Sequence, residues 1–394
     1  MNFSTNTNTQ GKLLTMITSS KMYLRDLILS EPILKKVYSK LRSKSSKDLM
    51  NKSQLEGYLN KADKILLNKS FPKDFRVGIV NINDTYADLG LARERDYNPK
   101  YERFLKNNNI NYDFYNPLLS SWIKEAKKFD LIVWHTDSDP STQEVAEGKI
   151  YLLEKMGVRC FPSFDEVWSY ENKIRANYLY ELYGLPSIPT FISHSKEEAL
   201  EYLGKASFPL ISKISTGSSS YGVDKIDNLK EGKKLVEQAF SYKGKETYFK
   251  YLSQKNYVYF QEFIDDATYD LRVICIGDEL LGYYRYPNKG DFKASGAGNY
   301  EKKAIPKEAL DLAYKVCENF GTTCLATDFV YSQKHNQFLI IESSIFIGVD
   351  TCEQLSIDGV PGKYIRKDSG NYEFVPGRFW IQELALKHFI EKIL

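Results

Sequence analysis

The sequence predicts an α/β protein that becomes α+β in its second half, and three observations carry the prediction. From residue 75 onward, apolar β-branched runs alternate with helical text, the pattern of βαβ units that build a parallel sheet. Beyond residue 257 the alternation gives way to paired strands, with runs 271–276 and 279–286 flanking the two-residue turn Gly277-Asp278. The chain has 394 residues, 42% of them hydrophobic, enough to bury a sizeable core in two or three domains. No apolar run approaches the ~20 residues that span a bilayer. Residues 1–10 are polar where a signal peptide needs a basic end and an apolar centre, so a cytoplasmic location is expected.

Residues 1–70 read as a helical, basic N-terminal extension. They carry thirteen Lys or Arg against five Asp or Glu, a net of +8, which leaves −5 for the rest of a chain whose total is +3. Ser30-Glu31-Pro32 has the form of a helix start, and Leu34, Val37, Tyr38 and Leu41 recur at helical spacing among Lys35, Lys36, Lys40 and Arg42. A solvated helix packed on the main body is the preferred reading. Peripheral contact with an acidic membrane surface or a partner is the functional alternative. The five cysteines are odd in number and widely spaced, which suits reduced, buried thiols. The four histidines are too scattered for a zinc pattern and are assigned no chemistry.

Residues 71–165 follow as a parallel α/β domain, with strand-like runs at 76–82, 131–134 and 158–161 and helices at 99–107 and 141–156. Parallel sheets bind ligands at the carboxyl ends of their strands, which makes Asn81, Asn83, His135, Thr136 and Asp137 candidate cleft residues, or plain strand-end loops. No Gly-x-Gly-x-x-Gly follows the first strand, so a dinucleotide fold is not read.

Segment 166–250 opens with Lys173 on a helix that ends at Gly184 and leads into the proline-punctuated 185–190; Ser195 to Glu198 then caps the next helix. The run 209–213 delivers Lys213 from a strand, and the loop Gly217-Ser218-Ser219-Ser220-Tyr221-Gly222 follows. Its amides and hydroxyls can cradle phosphates that Lys213 neutralises. The loop lacks the Gly-Lys-Ser/Thr ending of a P-loop.

Segment 251–394 begins with an apolar run into which Gln261 and Glu262 are inserted, followed by Phe263 and Ile264. If Ile276 pairs with Glu279 across the Gly277-Asp278 turn, Asp270 lies opposite Arg285 and Arg272 opposite Tyr283, which puts all three charges on one face. Two arginines so gathered repel unless Asp270 or an anion lies between them. Pairing Ser332 with Phe338 in the next strand pair would set Asp328 against Glu342. Two close carboxylates are relieved by a hard cation such as magnesium. The tail from Tyr364 through Phe379-Trp380 to a final helix near 382–393 reads as packing or an oligomer contact.

The order of these elements resembles the ATP-grasp superfamily, and within it the carboxylate–amine ligases similar to the ribosomal-protein S6 glutamate ligase. The resemblance covers residues 75 to 350. It is most specific from Asp270-Leu271-Arg272-Val273 through Gly277-Asp278-Glu279 to Arg285 and Gly290-Asp291-Phe292-Lys293. It implies an ATP-grasp fold with a Rossmann-like pre-ATP-grasp domain (71–165), a small lobe (166–250) and a large lobe with tail (251–394). It also implies ATP and Mg2+, one ion or two, with Mn2+ as an alternative. By position, Lys173 is a nucleotide-binding lysine, Gln261, Glu262, Phe263 and Ile264 lie beside adenine, and Asp270 meets the ribose. Asp328, Glu342 and Ser344 are placed as metal ligands, and Lys293, Ser295 and Asn299 as substrate-binding residues. The family motif ends Glu-x-Asn, whereas Ser344 stands here. A hydroxyl is a weaker ligand, so a second ion is looser, water-mediated or absent. The ligases also carry Asn where Ser295 stands, with an Asn recovered only at Asn299.

The implied activity is ATP-dependent carboxylate–amine ligation through an acyl phosphate, releasing ADP and phosphate, with Arg272 and Arg285 stabilising the transferring group. The alternatives are an ATP-grasp kinase and a non-catalytic nucleotide-binding scaffold. The expected partners are a small-molecule, peptide or sugar-acid carboxylate and an amine, with no nucleic acid; homo-oligomerisation is left open.

Overall fold

The computed structural model describes residues 49–82, 91–136, 138–217 and 222–394. The helix expected at residues 30–42, Asn83, Asp137 and Ser218 to Tyr221 lie outside the described residues. The chain divides into two compact units, of which residues 49–56 and 91–94 belong to the first and residues 57–82 and 95–394 to the second. In the first unit, Leu49–Asn51 pairs antiparallel with Leu91–Arg93. The described end of the N-terminal extension therefore holds a short strand as well as helix Lys52–Leu59: the ladder pairs the short apolar step Leu49-Met50 with Ala92 and Arg93.

The second unit is built on three sheets. The first is a four-stranded parallel sheet in the order Asn111–Tyr115, Arg76–Val80, Leu131–Val133, Arg159–Phe161. Strands buried on both faces read as continuous apolar runs, and Val77, Ile79, Leu131, Ile132 and Val133 are all fully buried here. Helices Asn98–Asn107 and Pro140–Lys155 supply the crossovers; the second is N-capped by Asp139, which accepts from the amides of Ser141 and Thr142. Strand order reverses between Arg76–Val80 and Leu131–Val133, so Asn81, His135 and Thr136 stand at the switch point.

The second sheet is antiparallel, in the order Thr190–Ser193, Val258–Glu262, Leu210–Lys213, Val223–Ile226. Helices Lys196–Lys205 and Leu229–Ala239 cover it, closing a core of Ala199, Leu203, Leu210, Leu235, Val236 and Phe260. Ser195 caps the first of these helices by accepting from the Glu198 amide, but the Glu198 carboxylate bonds Ser193 instead of closing a capping box.

The third sheet has eight strands. Its main path runs Gln337–Ser344, Cys324–Ser332, Asp270–Ile276, Glu279–Tyr286, Val360–Arg366, Leu355–Ile357, with Asn299–Glu301 and Tyr372–Pro376 paired alongside. Helix Lys307–Phe320 lies on it and ends at Gly321, whose φ of 66° is the left-handed cap that glycine tolerates. The tail is packing within the chain: Glu383 of helix Ile381–Ile393 meets Arg103 of helix Asn98–Asn107 at 2.7 Å, and the buried Trp380 indole donates to the Leu59 carbonyl. All five cysteines are buried and unbridged, as expected.

Candidate active site

The site grows from the strand Asp270–Ile276. Its hairpin register is the one the turn dictates: Ile276 pairs with Glu279, Asp270 with Arg285 and Arg272 with Tyr283. The sequence reading missed the other neighbour. Strand Cys324–Ser332 pairs on the opposite edge and sets Asp328 directly against Arg272. Arg272 holds Asp328 in a bidentate fork, with Nε to Oδ1 and a terminal nitrogen to Oδ2, both at 2.7 Å. Arg285 reaches the same Oδ2 at 2.6 Å, and its Nε bonds Asp270. The two arginines are therefore reconciled by Asp328 as well as Asp270.

The electrostatics follow from burial. Asp328 is 2% exposed; burial pushes its carboxyl up, but Arg272 and Arg285 outweigh that and hold it at about 2. Asp270 meets one arginine, and there burial prevails and raises the carboxyl to about 6.

Glu342 arrives on the adjoining strand, opposite Asp328 as anticipated but by a different route. The outer register pairs Ser332 with Gln337 and Tyr331 with Phe338, one residue from the expected Ser332–Phe338 pairing. A bulge at Ile341 then absorbs the difference and restores Asp328 opposite Glu342. The Glu342 side chain is 40% exposed, with Lys173 Nζ at 4.0 Å.

Both lysines converge on these acids. Lys173 is the first residue of helix Lys173–Leu182, which Asn172 caps; its amide donates to the Ser215 carbonyl and its Nζ bonds the Gly217 carbonyl. Lys213 ends its strand at 5% exposure. Burial lowers its ammonium to about 8, with Lys173 adding to the fall and Glu342 and Asp328 opposing it. Just beyond Lys213, the Ile214 amide donates to the Gly222 carbonyl. Gly222 has a φ of 71°, and a Cβ there would fall 2.4 Å from the Ile214 side chain, so only glycine fits.

Other predicted residues are disposed less evenly. The Gln261 amide is buried and bonds Thr190 and Tyr259, while the Glu262 carboxylate is taken by Lys334 and His335. What remains near the hinge is backbone and the Phe263 ring, which meets Phe292 edge-on and has Lys225 Nζ 5.1 Å above it; Ile264 packs with Ile188, Val330 and Leu339. Lys293 crosses to the small sheet and donates to the Val223 carbonyl at 3.1 Å, just beyond the phosphate loop. Asn299 turns back to Asn288, away from the charged cluster; Ser295, half-buried, makes no hydrogen bond among the described residues. A further residue, Tyr180, was not anticipated. It lies two helical turns beyond Lys173, and its hydroxyl meets Ser343 Oγ at 2.8 Å, tying the lysine helix to the Glu342 strand.

The acids suit a magnesium ion. Asp328 Oδ1 accepts one hydrogen bond and keeps a lone pair, Glu342 is free of arginines, and Ser344 Oγ spends its proton on the Phe346 carbonyl and presents oxygen lone pairs. No group of three or more acidic, histidine or cysteine ligands occurs among the described residues. One or two carboxylates completed by substrate phosphates is the usual magnesium arrangement.

Comparison with known proteins decides the family. Residues 170–359 match the RimK-like ATP-grasp domain. The α-aminoadipate–LysW ligase LysX of Saccharolobus solfataricus is 32% identical over 197 residues, which span 49% of this chain and 67% of that protein. The glutamate–LysW ligase ArgX of Sulfolobus acidocaldarius is 32% identical over 226 residues, 55% of this chain and 77% of that one. The chain belongs to the RimK-like ATP-grasp family. Like other RimK-like proteins it is an ATP-dependent carboxylate–amine ligase. The crystal structure of a D-alanine–D-alanine ligase from Bacillus anthracis shares the fold, with a TM-score of 0.50 and 14% identity over 70% of this chain and 88% of that one. The parallel sheet is thus the pre-ATP-grasp sheet of an ATP-grasp fold that also contains the antiparallel sheets. No helix among the described residues is long and apolar enough to cross a membrane.

Proposed function

We propose that this RimK-like ligase phosphorylates a substrate carboxylate with ATP and passes the acyl group to an amine. The observation that carries the reading is convergence: Lys173 and Lys213 from the small-lobe side and Arg272 and Arg285 from the large sheet surround Asp328 and Glu342. Four cations meet three carboxylates when Asp270 is included, an excess of one positive charge that favours an anionic ligand such as a metal-bound triphosphate. Lys173, Lys213, Gly217, Ser218, Ser219, Ser220, Tyr221 and Gly222 are assigned to the phosphates, and Lys293 bonds the Val223 carbonyl that follows them in the chain. The backbone of Gln261, Glu262, Phe263 and Ile264 is assigned to adenine.

Asp328, Glu342 and Ser344 would hold magnesium, which when bound neutralises β- and γ-phosphate charge. Arg272 and Arg285, fixed by Asp328 and Asp270, present guanidinium edges to the γ-phosphoryl group and then to the tetrahedral oxyanion, so their work is positioning and charge stabilisation. Asp270 acts through Arg285, since its carboxylate is already committed there. The division into a Rossmann-like 71–165, a small lobe from 166 and a large lobe with tail stands as part of this proposal, as do a solvated basic N-terminal helix, with peripheral membrane or partner contact as its alternative, and a cytoplasmic location.

The relatives join glutamate or α-aminoadipate to LysW, which makes an amino acid and the carboxylate of a protein or peptide the leading substrate pair; a uronic acid is the alternative. The test is magnesium-dependent ADP release with N-acetylated glutamate-ended peptides or uronic acids, with and without amino acids, compared with Glu342→Ala. Release that needs both acid and amine and vanishes in the variant supports ligation. Release with an acid or alcohol alone, yielding a stable phosphorylated product, contradicts it.

A further inference from the structure

Amide formation needs a base, because an amine attacks only when its nitrogen lone pair is free, whereas amino groups are protonated at neutral pH. The groups already described are spoken for: Asp270 and Asp328 by arginines, Glu342 by Lys173 and the proposed metal, the two lysines by phosphates. Imidazole is the side chain whose ordinary pKa suits the task. Three of the four histidines are placed elsewhere. His194 bonds the Asn256 carbonyl, His335 bonds the Glu262 carboxylate, and His388 lies against the Gly277 turn.

The fourth is His135. It follows the strand Leu131–Val133 at the switch point of the parallel sheet, where such sheets bind ligands. Its ring stacks on Tyr97, centroids 3.8 Å apart at an interplanar angle of 6°, and meets Phe346 at 4.6 Å and 87°. Tyr97 is itself pinned: its hydroxyl donates to the Ile347 carbonyl at 2.7 Å and accepts from the Ile347 amide at 3.0 Å. Tyr97, Phe346 and the Tyr170 that meets Phe346 are buried, while His135, seated on Tyr97 and Phe346, is exposed. Phe346 lies two residues beyond Ser344 and accepts its hydroxyl proton, so this aromatic shelf continues directly from the Glu342 strand. Thr136, the next residue, is 1% exposed, and its hydroxyl has no partner among the described residues, a second polar group at the same strand end.

We propose that His135 is the general base of the second half-reaction, taking the proton from the incoming amine. This rests on the ligase reading above. A ring nitrogen of His135 takes one proton from the incoming ammonium and frees the nitrogen lone pair, which then bonds to the acyl carbon; the acyl carbon–oxygen bond to phosphate breaks, inorganic phosphate leaves with that electron pair, the second N–H proton is lost to the departing phosphate or solvent, and the imidazolium returns its proton to solvent. The first half-reaction, phosphoryl transfer to a carboxylate already ionised, makes no demand on His135.

That asymmetry gives the experiment. Full-length enzyme is supplied with ATP, Mg2+ and N-acetylated glutamate-ended peptides or uronic acids, and the acceptor is either glutamate or hydroxylamine, which is uncharged at neutral pH and needs no base. His135→Gln is expected to form hydroxamate at the wild-type rate while its rate with glutamate falls by roughly 10²- to 10⁴-fold. His135→Asn is expected to behave alike, and thermal unfolding of both variants checks that the fold is kept. Equal losses with both acceptors, or no loss with glutamate, would overturn the assignment. Wild-type enzyme that forms neither hydroxamate nor amide with any acid would instead overturn the ligase reading, and the role of His135 with it.

Discussion

Replacing Lys213 with methionine should make the empty enzyme more stable while abolishing nucleotide binding. Lys213 is 5% exposed, and no salt bridge holds it among the described residues. Burial lowers its ammonium from 10.5 to about 8, a change worth about 3 kcal/mol at about 1.4 kcal/mol per unit. The sign follows from where the proton sits. Below pH 8 folded and unfolded chains are both protonated and the folded state bears the burial cost. Between 8 and 10.5 the folded state has released a proton that the unfolded chain keeps, so wild-type stability climbs with pH across that window. Methionine fills a similar volume without the charge. Urea unfolding followed by tryptophan fluorescence should place Lys213→Met about 3 kcal/mol above wild type at pH 7, with the gap narrowing steadily above pH 8. A non-hydrolysable ATP analogue at 100 times its Kd should stabilise wild type by about 2.7 kcal/mol and leave the variant unmoved. A variant less stable than wild type at pH 7, or a gap indifferent to pH, would refute the claim that this lysine is held at a cost for the sake of phosphate.

Three further outcomes follow from the same cluster. Glu342→Gln, at a half-exposed side chain, should leave the unfolding midpoint nearly unchanged while ADP formation falls about 10²-fold or more, read as steady-state kcat. Arg272→Ala removes the bidentate partner of a buried carboxylate and should cost about 3–5 kcal/mol in urea unfolding; Arg272→Lys should restore part of that stability but little activity, because an ammonium cannot reproduce the fork. Tyr180→Phe breaks the hydroxyl contact with Ser343 and should cost about 1 kcal/mol, appearing as a raised KM for ATP with kcat nearly intact; an effect confined to kcat would show that the contact does not position Lys173.

The parts of the site legible in the sequence were those set by local chemistry. The Gly277-Asp278 turn fixes its own register, and the same-face placement of Asp270, Arg272 and Arg285 followed from strand period alone. Non-local pairing was harder to see. Nothing in the text of residues 270–276 says which strand lies on their other edge, so the Arg272–Asp328 fork appeared only in the fold. The Asp328–Glu342 juxtaposition was reached through an assumed register that the Ile341 bulge happens to rescue, and a bulge has no signature in a β-branched run such as Leu339-Ile340-Ile341. Side-chain commitments were equally hidden: Glu262 and Gln261 sit in the expected hinge, yet their polar ends turn to Lys334 and Thr190. Tyr180 was in principle visible, because a seven-residue step from Lys173 returns to the same helix face.

The central claim, that a carboxylate is phosphorylated before an amine captures it, leaves an isotopic trace. With glutamate-ended peptides or uronic acids carrying oxygen-18 in the carboxylate, wild-type enzyme, ATP, Mg2+ and an amino acid acceptor, the phosphate released should carry a single labelled oxygen derived from the acid, in step with ADP and amide. Unlabelled phosphate appearing alongside amide would contradict the acyl-phosphate route on which the assignments of Arg272, Arg285 and His135 rest.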